Sequence, residues 1–134
     1  DIGIIEKIAA LPNVKLENRI IPYNDMHEYF YGARCIVLPY QSATQSGLIL
    51  DSTKHSRPAV AFRVGALGEQ IIEGKTGLLA EPGNVQELAV KVESIVAMDE
   101  EKYETMCRNA YEFGLREYSA QGQEANFLNA IGAV

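Results

Sequence analysis

The sequence predicts an α/β fold with a parallel sheet, flanking helices and a C-terminal third that is helical only. Short apolar runs alternate with helical patterns over the first 80 residues, which is typical of a parallel sheet. The segment at 57–84, RPAVAFRVGALGEQIIEGKTGLLAEPGN, holds two such runs separated by glycine-rich turns. After Asn84 only helical patterns follow. We expect one domain over residues 1–134, with residues 84–134 as its helical part.

The first 38 residues predict two helices and two strands. Pro12-Asn13 ends the first helix, and Asn24 or Asp25 is suited to cap the second. Met26, Tyr29 and Phe30 share the face that is expected to point inward. The predicted elements are a helix over 2–11, an alternating strand over 14–17, a helix up to Tyr31 and a buried strand over 35–38.

The central segment predicts two more strands and two short helices. Ser46 is expected to cap a helix that runs to about His55. Residues 59–62 and 77–80 read as strands covered on both faces. Between them, Gly65 and Gly68 allow a tight turn, and Glu69 begins a short amphipathic segment.

The last third predicts three helices. Asn84 caps the first, whose apolar stripe comprises Val85, Leu88, Ala89, Val92, Ile95 and Val96. The second is expected over 100–113, broken at Gly114, and the third starts at Ser119. The inward residues of the second helix are Tyr103, Met106, Cys107 and Ala110, and the third contains Phe127 and Ile131.

Charge and composition exclude several classes of protein. The net charge is −6, and residues 81–134 carry ten acids against four bases, which argues against nucleic-acid binding through a basic face. Two cysteines and two histidines without metal-like spacing predict neither a disulfide framework nor a metal site. Five basic side chains near the loops could face a diphosphate: Arg19, Lys54, Arg57, Arg63 and Lys75.

The 57–84 segment resembles the C-terminal donor-binding domain of GT-B glycosyltransferases of family 4, also called glycosyltransferase group 1. That family shows a Pro-Val-apolar strand, a Gly-Gly turn before a Glu, a Thr-Gly-Leu-Leu strand and Pro-Gly before a helix. This chain matches at nearly every step, with Ala66 in place of the second glycine. The resemblance implies a Rossmann-like sheet in the order 3-2-1-4-5-6, of which the two central strands precede this chain. We therefore expect an incomplete domain with exposed strand edges that favour self-association.

The resemblance also assigns a donor-binding role to an acid after the fourth strand. The family carries two glutamates spaced by seven residues, which fall here on Ala43 and Asp51. Asp51 is expected to bind the ribose hydroxyls, because a carboxylate accepts two hydrogen bonds from a cis-diol. Ala43 cannot make the sugar contacts of the first glutamate. The loop around it looks like a family-4 branch with Ala-Thr-Gln-Ser-Gly at this place.

The remaining donor-binding candidates lie on three loops. Thr44 and Gln45 could hydrogen-bond a sugar, and the amides of Ser46, Gly47 and Leu48 are expected at a helix start that favours an anion. By resemblance, Gly65 and Glu69 lie near the donor, and Arg19 and Ile20 near the base. The alternative explanations are a helix cap for Ser46, an acid favoured by the helix dipole at a helix N-terminus for Glu69, and a surface acid on a helix for Asp51.

The resemblance implies a retaining glycosyltransferase that uses a nucleoside-diphosphate sugar and no other cofactor, with a saccharide or lipid-linked acceptor in polysaccharide or glycolipid assembly. Its partners would be the donor and the N-terminal domain of the parent enzyme. This chain alone is therefore expected to bind the donor weakly and to transfer no sugar. No catalytic residue is assigned. A cytoplasmic location follows, with attachment to the inner membrane face as an option. The alternatives are a non-catalytic nucleotide-binding or protein-interaction module, favoured by Ala43, and a sugar-nucleotide epimerase of GT-B fold.

Overall fold

A computed structural model describes residues 2–133, which form a three-stranded parallel sheet flanked by helices. The strands β1, β2 and β3 follow one another in space as in sequence. Their bounds are Ile36–Leu38, Ala59–Phe62 and Gly77–Ala80. The register pairs Val37 with Val60 and Val60 with Leu78. The predicted parallel α/β sheet is confirmed.

Seven α-helices and one 3-10 helix accompany the sheet within the described residues. The α-helices α1 to α7 are, in order, Ile2–Ala9, Met26–Gly32, Gly47–Lys54, Leu67–Gln70, Val85–Val96, Glu100–Tyr118 and Ala120–Ala130. The 3-10 helix, Tyr23–Asp25, leads directly into α2.

Strand β2 is the centre of the core. All four of its residues are buried, and alternate side chains of a strand point to opposite faces, so both faces of the sheet are covered. The helix α3 packs on α6, and α5 packs on β2 and β3. Ile49, Leu67 and Ile95 are the most deeply buried aliphatic side chains that the helices bring to this core.

The two edges of the sheet differ. At β3, the Glu73 carboxylate accepts a 2.6 Å hydrogen bond from the Leu79 amide, and the Gly77 carbonyl accepts one from the Gly74 amide. At β1, the Ile36 amide donates to the Pro58 carbonyl next to β2. Alternation along a strand then directs the N–H and C=O of Val37 to the opposite, open side, where its side chain is 40% exposed.

The predicted strand over 14–17 is wrong, because these residues form no regular element. A strand gains hydrogen bonds only from a neighbour, and nothing among the described residues pairs with this segment. The first helix ends at Ala9, and its apolar side chains are exposed rather than packed, as with Ile4 at 55%. Tyr29 of α2 is exposed as well, whereas Phe30 is buried as predicted.

The predicted helix break at Gly114 is also wrong, because α6 continues without interruption to Tyr118. Gly114 is buried, and a Cβ there would collide with the Thr53 side chain. The absence of a side chain at Gly114 thus allows α3 and α6 to approach closely, and the glycine does not terminate the helix. The inward face predicted for α6 is confirmed, since all four of its residues are buried.

Helix caps decide the remaining boundaries. The Asn84 side chain accepts a 3.0 Å hydrogen bond from the Glu87 amide, and Ser119 accepts one from Gly122, so both predicted caps are confirmed. Ser46 occupies the N-cap position of α3, but its side chain makes no capping bond. The stripe of α5 is narrower than predicted, because only Leu88 and Ile95 are fully buried. Its exposed members are Val85, Ala89 and Val96.

Candidate functional site

The loops that leave the carboxyl ends of β1 and β2 meet in direct contact. Gly65 has a φ of +50°, and a Cβ there would collide with the carbonyl oxygen of Ala43. A left-handed backbone and a filled Cβ position both demand glycine. Ala43 itself is half-buried and packs against the core. Gly65 therefore fixes the mutual position of these two loops.

A side chain that sequence reasoning did not select, Gln70, joins the same two loops. Its Oε1 accepts a 2.9 Å hydrogen bond from the Ser46 amide, and its Nε2 donates a 3.3 Å bond to the Ser46 carbonyl. Gln70 is 8% exposed and Ser46 is 5% exposed. The only sequence feature that could have pointed to Gln70 is that a polar amide side chain stands next to the apolar Ile71. No sequence rule pairs it with a residue 24 positions away.

The amide of Ser46 is consequently not free to bind an anion, which corrects the sequence-based assignment. The next two amides, Gly47 and Leu48, start α3, and the first amides of a helix have no intrahelical acceptor. Gly47 is exposed, with no heavy atom within 4 Å of the position a Cβ would take. An anion would have access to this helix start through Gly47. Thr44 and Gln45, on the preceding loop, are both exposed.

Asp51 lies on α3 and borders a cleft of about 380 Å³. Its side chain is 17% exposed, and its carboxylate lies 3.3 Å from Lys54 Nζ. The cleft separates α3 from the 3-10 helix and α2. It is lined, besides Asp51, by Tyr23, Asn24, Met26, His27, Phe30 and His55.

Aromatic and basic side chains fix α2 against α3 at this cleft. The rings of Phe30 and His55 stack with 4.8 Å between their centroids, and Tyr31 meets His55 edge-on. Arg57 donates hydrogen bonds to the carbonyls of Phe30 and Tyr31 at the end of α2. The His55 Nδ1 lies 2.7 Å from the Asp51 carbonyl. These internal contacts hold the wall of the cleft in place without a bound ligand.

Glu69 and Gln45 border a second cleft, of about 460 Å³. Its other lining residues are Ala66, Gln70, Phe113, Glu117 and Tyr118. Burial raises the pKa of the Tyr118 hydroxyl above its ordinary value. Of the predicted donor-binding residues, Asp51 therefore borders the first cleft, and Gln45 and Glu69 border the second.

Arg19 and Ile20 lie on the irregular segment before the 3-10 helix. Arg19 donates to Glu17 at 3.0 Å and to the Tyr29 hydroxyl at 3.3 Å. Hydrogen bonds from Lys15 and Arg19 lower the pKa of Glu17. Ile20 is 94% exposed. Arg19 is thus joined to α2 through Tyr29, and no hydrogen bond or ion pair joins its side chain to the loops after β1 and β2 within residues 2–133.

Four of the five basic side chains proposed to face a diphosphate are engaged elsewhere. Among the described residues of that set, only the side chain of Lys75 has no ion-pair or hydrogen-bond partner. The engaged pairs are Arg19 with Glu17, Lys54 with Asp51, Arg63 with Glu73, and Arg57 with the carbonyls of Phe30 and Tyr31. Lys75 and the backbone amides at the start of α3 therefore remain available to an anion.

Residues 2–133 contain no group of three or more His, Cys, Asp or Glu side chains placed to hold a metal ion. None of the helices described there has the length and apolar character that crossing a membrane requires. Cys35 and Cys107 are both free, and burial raises the pKa of the Cys35 thiol.

Comparison with known proteins identifies the family. Residues 4–98 match the family described as glycosyl transferases group 1. An uncharacterized glycosyltransferase of Methanocaldococcus jannaschii, MJ1178, is 30% identical over 74% of this chain and 32% of its own length.

Solved glycosyltransferase structures share the fold. Sucrose-phosphate synthase of Thermosynechococcus elongatus superposes with a TM-score of 0.80 at 21% identity, over 98% of this chain and 33% of that one. HepE of Anabaena, solved with UDP-glucose, gives 0.76 at 19% identity, over 98% of this chain and 35% of that one. This chain thus spans about a third of the length of these relatives and corresponds to part of a GT-B structure.

Proposed function

Because the chain belongs to the glycosyl transferases group 1 family, we propose that it is the donor-binding part of a retaining glycosyltransferase of family 4. Its donor would be a nucleoside-diphosphate sugar and its acceptor a saccharide or lipid-linked glycan. The observation that carries the proposal is the half-buried Asp51 carboxylate beside a ring-lined cleft of nucleoside size. The structure of HepE with UDP-glucose supports a UDP-sugar as donor.

The nucleoside half of the donor would occupy the cleft between α2 and α3. Its volume of about 380 Å³ lies within the range of small-ligand sites. Asp51 would accept hydrogen bonds from the two ribose hydroxyls, displacing Lys54 from its present 3.3 Å contact. The rings of Tyr23 and His27 offer apolar surface and polar edges to a base.

The diphosphate would bind at the start of α3. The amides of Gly47 and Leu48 are the donors there, and the partial positive charge of a helix N-terminus favours an anion. No bulky side chain shields Gly47. A diphosphate bound by backbone amides does not depend on the glutamate that Ala43 replaces.

The transferred sugar would extend toward the cleft bordered by Gln45 and Glu69. An amide and a carboxylate together offer donors and acceptors to adjacent sugar hydroxyls. Catalysis in such a site consists of holding the donor and acceptor in contact while the leaving diphosphate is stabilised. We assign no catalytic residue in this chain and expect it to bind donor without transferring sugar.

Ligand-observed NMR on the isolated chain tests the proposal. With UDP, GDP and ADP as probes, we expect saturation transfer to the ribose protons of UDP. Asp51→Ala should weaken UDP binding by about 10- to 150-fold, because a hydrogen bond to a charged carboxylate contributes roughly 1.5–3 kcal/mol. Glu104→Ala, which removes an exposed acid on α6, is the matched control.

The test has a clear negative outcome. A chain that is folded by circular dichroism and binds none of the three nucleotides would contradict donor binding by this part of the enzyme. Equal UDP affinity in wild type and Asp51→Ala would contradict the ribose role and leave the nucleoside elsewhere.

A second candidate function is a non-catalytic binding module with the same cleft, and the position of Ala43 favours it. The side chain at this position packs against the core and carries no carboxylate for a sugar. Isothermal titration of the full-length parent with UDP-glucose, followed by an assay for UDP release, separates the two. Binding with no UDP release, even with acceptor glycans present, would indicate the module.

A further inference from the structure

Gln70 makes the only side-chain hydrogen bonds, within residues 2–133, that join α4 to the start of α3. Both polar ends of its amide group are used on one residue, Ser46, at 2.9 Å and 3.3 Å. Both residues are more than nine-tenths buried. A buried amide that loses such partners leaves unsatisfied polar groups, so this arrangement is strongly specified.

The contact between Gln70 and Ser46 matters because of where Ser46 lies in the proposed donor site. Ser46 directly precedes Gly47 and Leu48, whose amides are the donors of the proposed diphosphate site. The loop that ends at Ser46 already touches the turn at Gly65 through Ala43. Packing alone restrains the distance between two loops, whereas a pair of hydrogen bonds also fixes their direction.

We infer that Gln70 is a positioning residue for the diphosphate of the donor. It holds the backbone of Ser46 on both sides, so that the next two amides keep a fixed position when the nucleotide arrives. The inference rests on the proposed function, and it concerns the phosphate half of the donor only. The nucleoside cleft is built from the 3-10 helix, α2 and α3 and does not include Gln70.

Because the diphosphate and the nucleoside would bind at separate places, UDP and uridine should respond differently to a change at Gln70. Gln70→Met keeps the length of the side chain and removes both hydrogen bonds. We expect the dissociation constant for UDP to rise about tenfold, the equivalent of about 1.4 kcal/mol, and that for uridine to change less than about twofold. Gln86→Met, at an exposed position of α5, is the matched control and should change neither.

Hydrogen exchange supplies a readout that needs no ligand. The Ser46 amide should exchange faster in Gln70→Met than in the wild type, while amides of β2 keep their protection. A folded variant with an unchanged ratio of UDP to uridine affinity would overturn the inference. A wild-type chain that binds neither compound would refute the proposed function, and unchanged Ser46 exchange would refute the contact itself.

A second variant covers the case in which Gln70→Met does not fold. Gln70→Glu keeps an acceptor for the Ser46 amide, but its ionised carboxylate cannot donate to the Ser46 carbonyl. Protonation restores that donor, so the affinity of the variant for UDP, relative to wild type at the same pH, should recover as the pH falls through the carboxyl titration. A ratio that does not vary with pH would count against the positioning role.

Discussion

The contact between Gly114 and Thr53 predicts a large effect for the smallest possible side-chain addition. In Gly114→Ala, the new Cβ would lie 2.6 Å from Thr53 Cβ and closer still to its hydroxyl oxygen. Thr53 is 3% exposed, and its hydroxyl donates a 2.7 Å hydrogen bond to the Leu50 carbonyl. A rotation that carries the Thr53 hydroxyl away from the new Cβ would therefore break this hydrogen bond.

Two opposing terms set the magnitude. Overpacking of a filled interface costs about 1–3 kcal/mol. Replacing glycine by alanine within a helix contributes roughly 1 kcal/mol in the other direction. Because both contacts with Thr53 are far shorter than van der Waals contact, the steric cost is at the upper end of its range, and we expect Gly114→Ala to lower the free energy of unfolding by about 2 kcal/mol, measured as a lower urea midpoint at unchanged slope.

Gly32→Ala provides the matched control. Gly32 is the last residue of α2, and no heavy atom lies within 4 Å of its Cβ position, so its replacement should leave the urea midpoint unchanged or raise it slightly. Thr53→Ala in the Gly114→Ala background removes the nearest colliding atom and should recover part of the loss, which a double-mutant cycle measures. A Gly114→Ala chain as stable as the wild type would refute the steric explanation of the unbroken α6.

Three further predictions concern stability. Asn84→Ala removes the side-chain cap of α5 and should lower the free energy of unfolding by about 1 kcal/mol in urea titration; no change would mean that the cap is not formed in solution. Arg34→Met loses the hydrogen bonds to the carbonyls of Ile95 and Met98 and the contact of the guanidinium, 3.9 Å above the Tyr103 ring. These losses should lower the free energy of unfolding by about 2 kcal/mol. A urea midpoint equal to that of the wild type would contradict this stabilising role of Arg34. Burial raises the pKa of Tyr103 to about 12 from 10.0, so its contribution to stability is present below pH 10 and is lost as the pH rises toward 12, because the unfolded chain ionises first. Urea midpoints at pH 9 and pH 11 should therefore differ less in Tyr103→Phe than in the wild type, and equal differences would contradict the assigned cause.

The parts of the fold that were predictable from sequence are those whose environment is local. Strand β2 is buried along its length and β3 at every position but Leu78, and nearby proline and glycine mark their ends, so four residues suffice to indicate each strand. The caps at Asn84 and Ser119 reach only three residues along the chain. Such signals do not depend on which other segment packs nearby.

The failures all involve a second segment. The strand over 14–17 had the right alternation but no neighbour with which to pair. Gly114 was interpreted as a helix break because the cause of the glycine, Thr53, is 61 positions earlier in the sequence. The anion role given to the Ser46 amide ignored Gln70, whose partner no periodicity identifies. For the site, sequence resemblance indicated the loops, and only the structure shows which of their groups are already occupied.

The unequal edges of the sheet limit how copies of this domain can assemble. The Glu73 carboxylate occupies the Leu79 amide at β3, whereas Val37 at β1 still offers its backbone groups to a partner. Fibrils need two open edges on each unit, so that every added copy presents a new template. A domain with one open edge can pair with a single partner strand, after which no open edge is left. In a dimer with a two-fold axis, the open β1 edges of the two copies would pair with each other. We therefore expect Glu73→Ala, which frees the Leu79 amide, to open the second edge of the sheet to a partner strand.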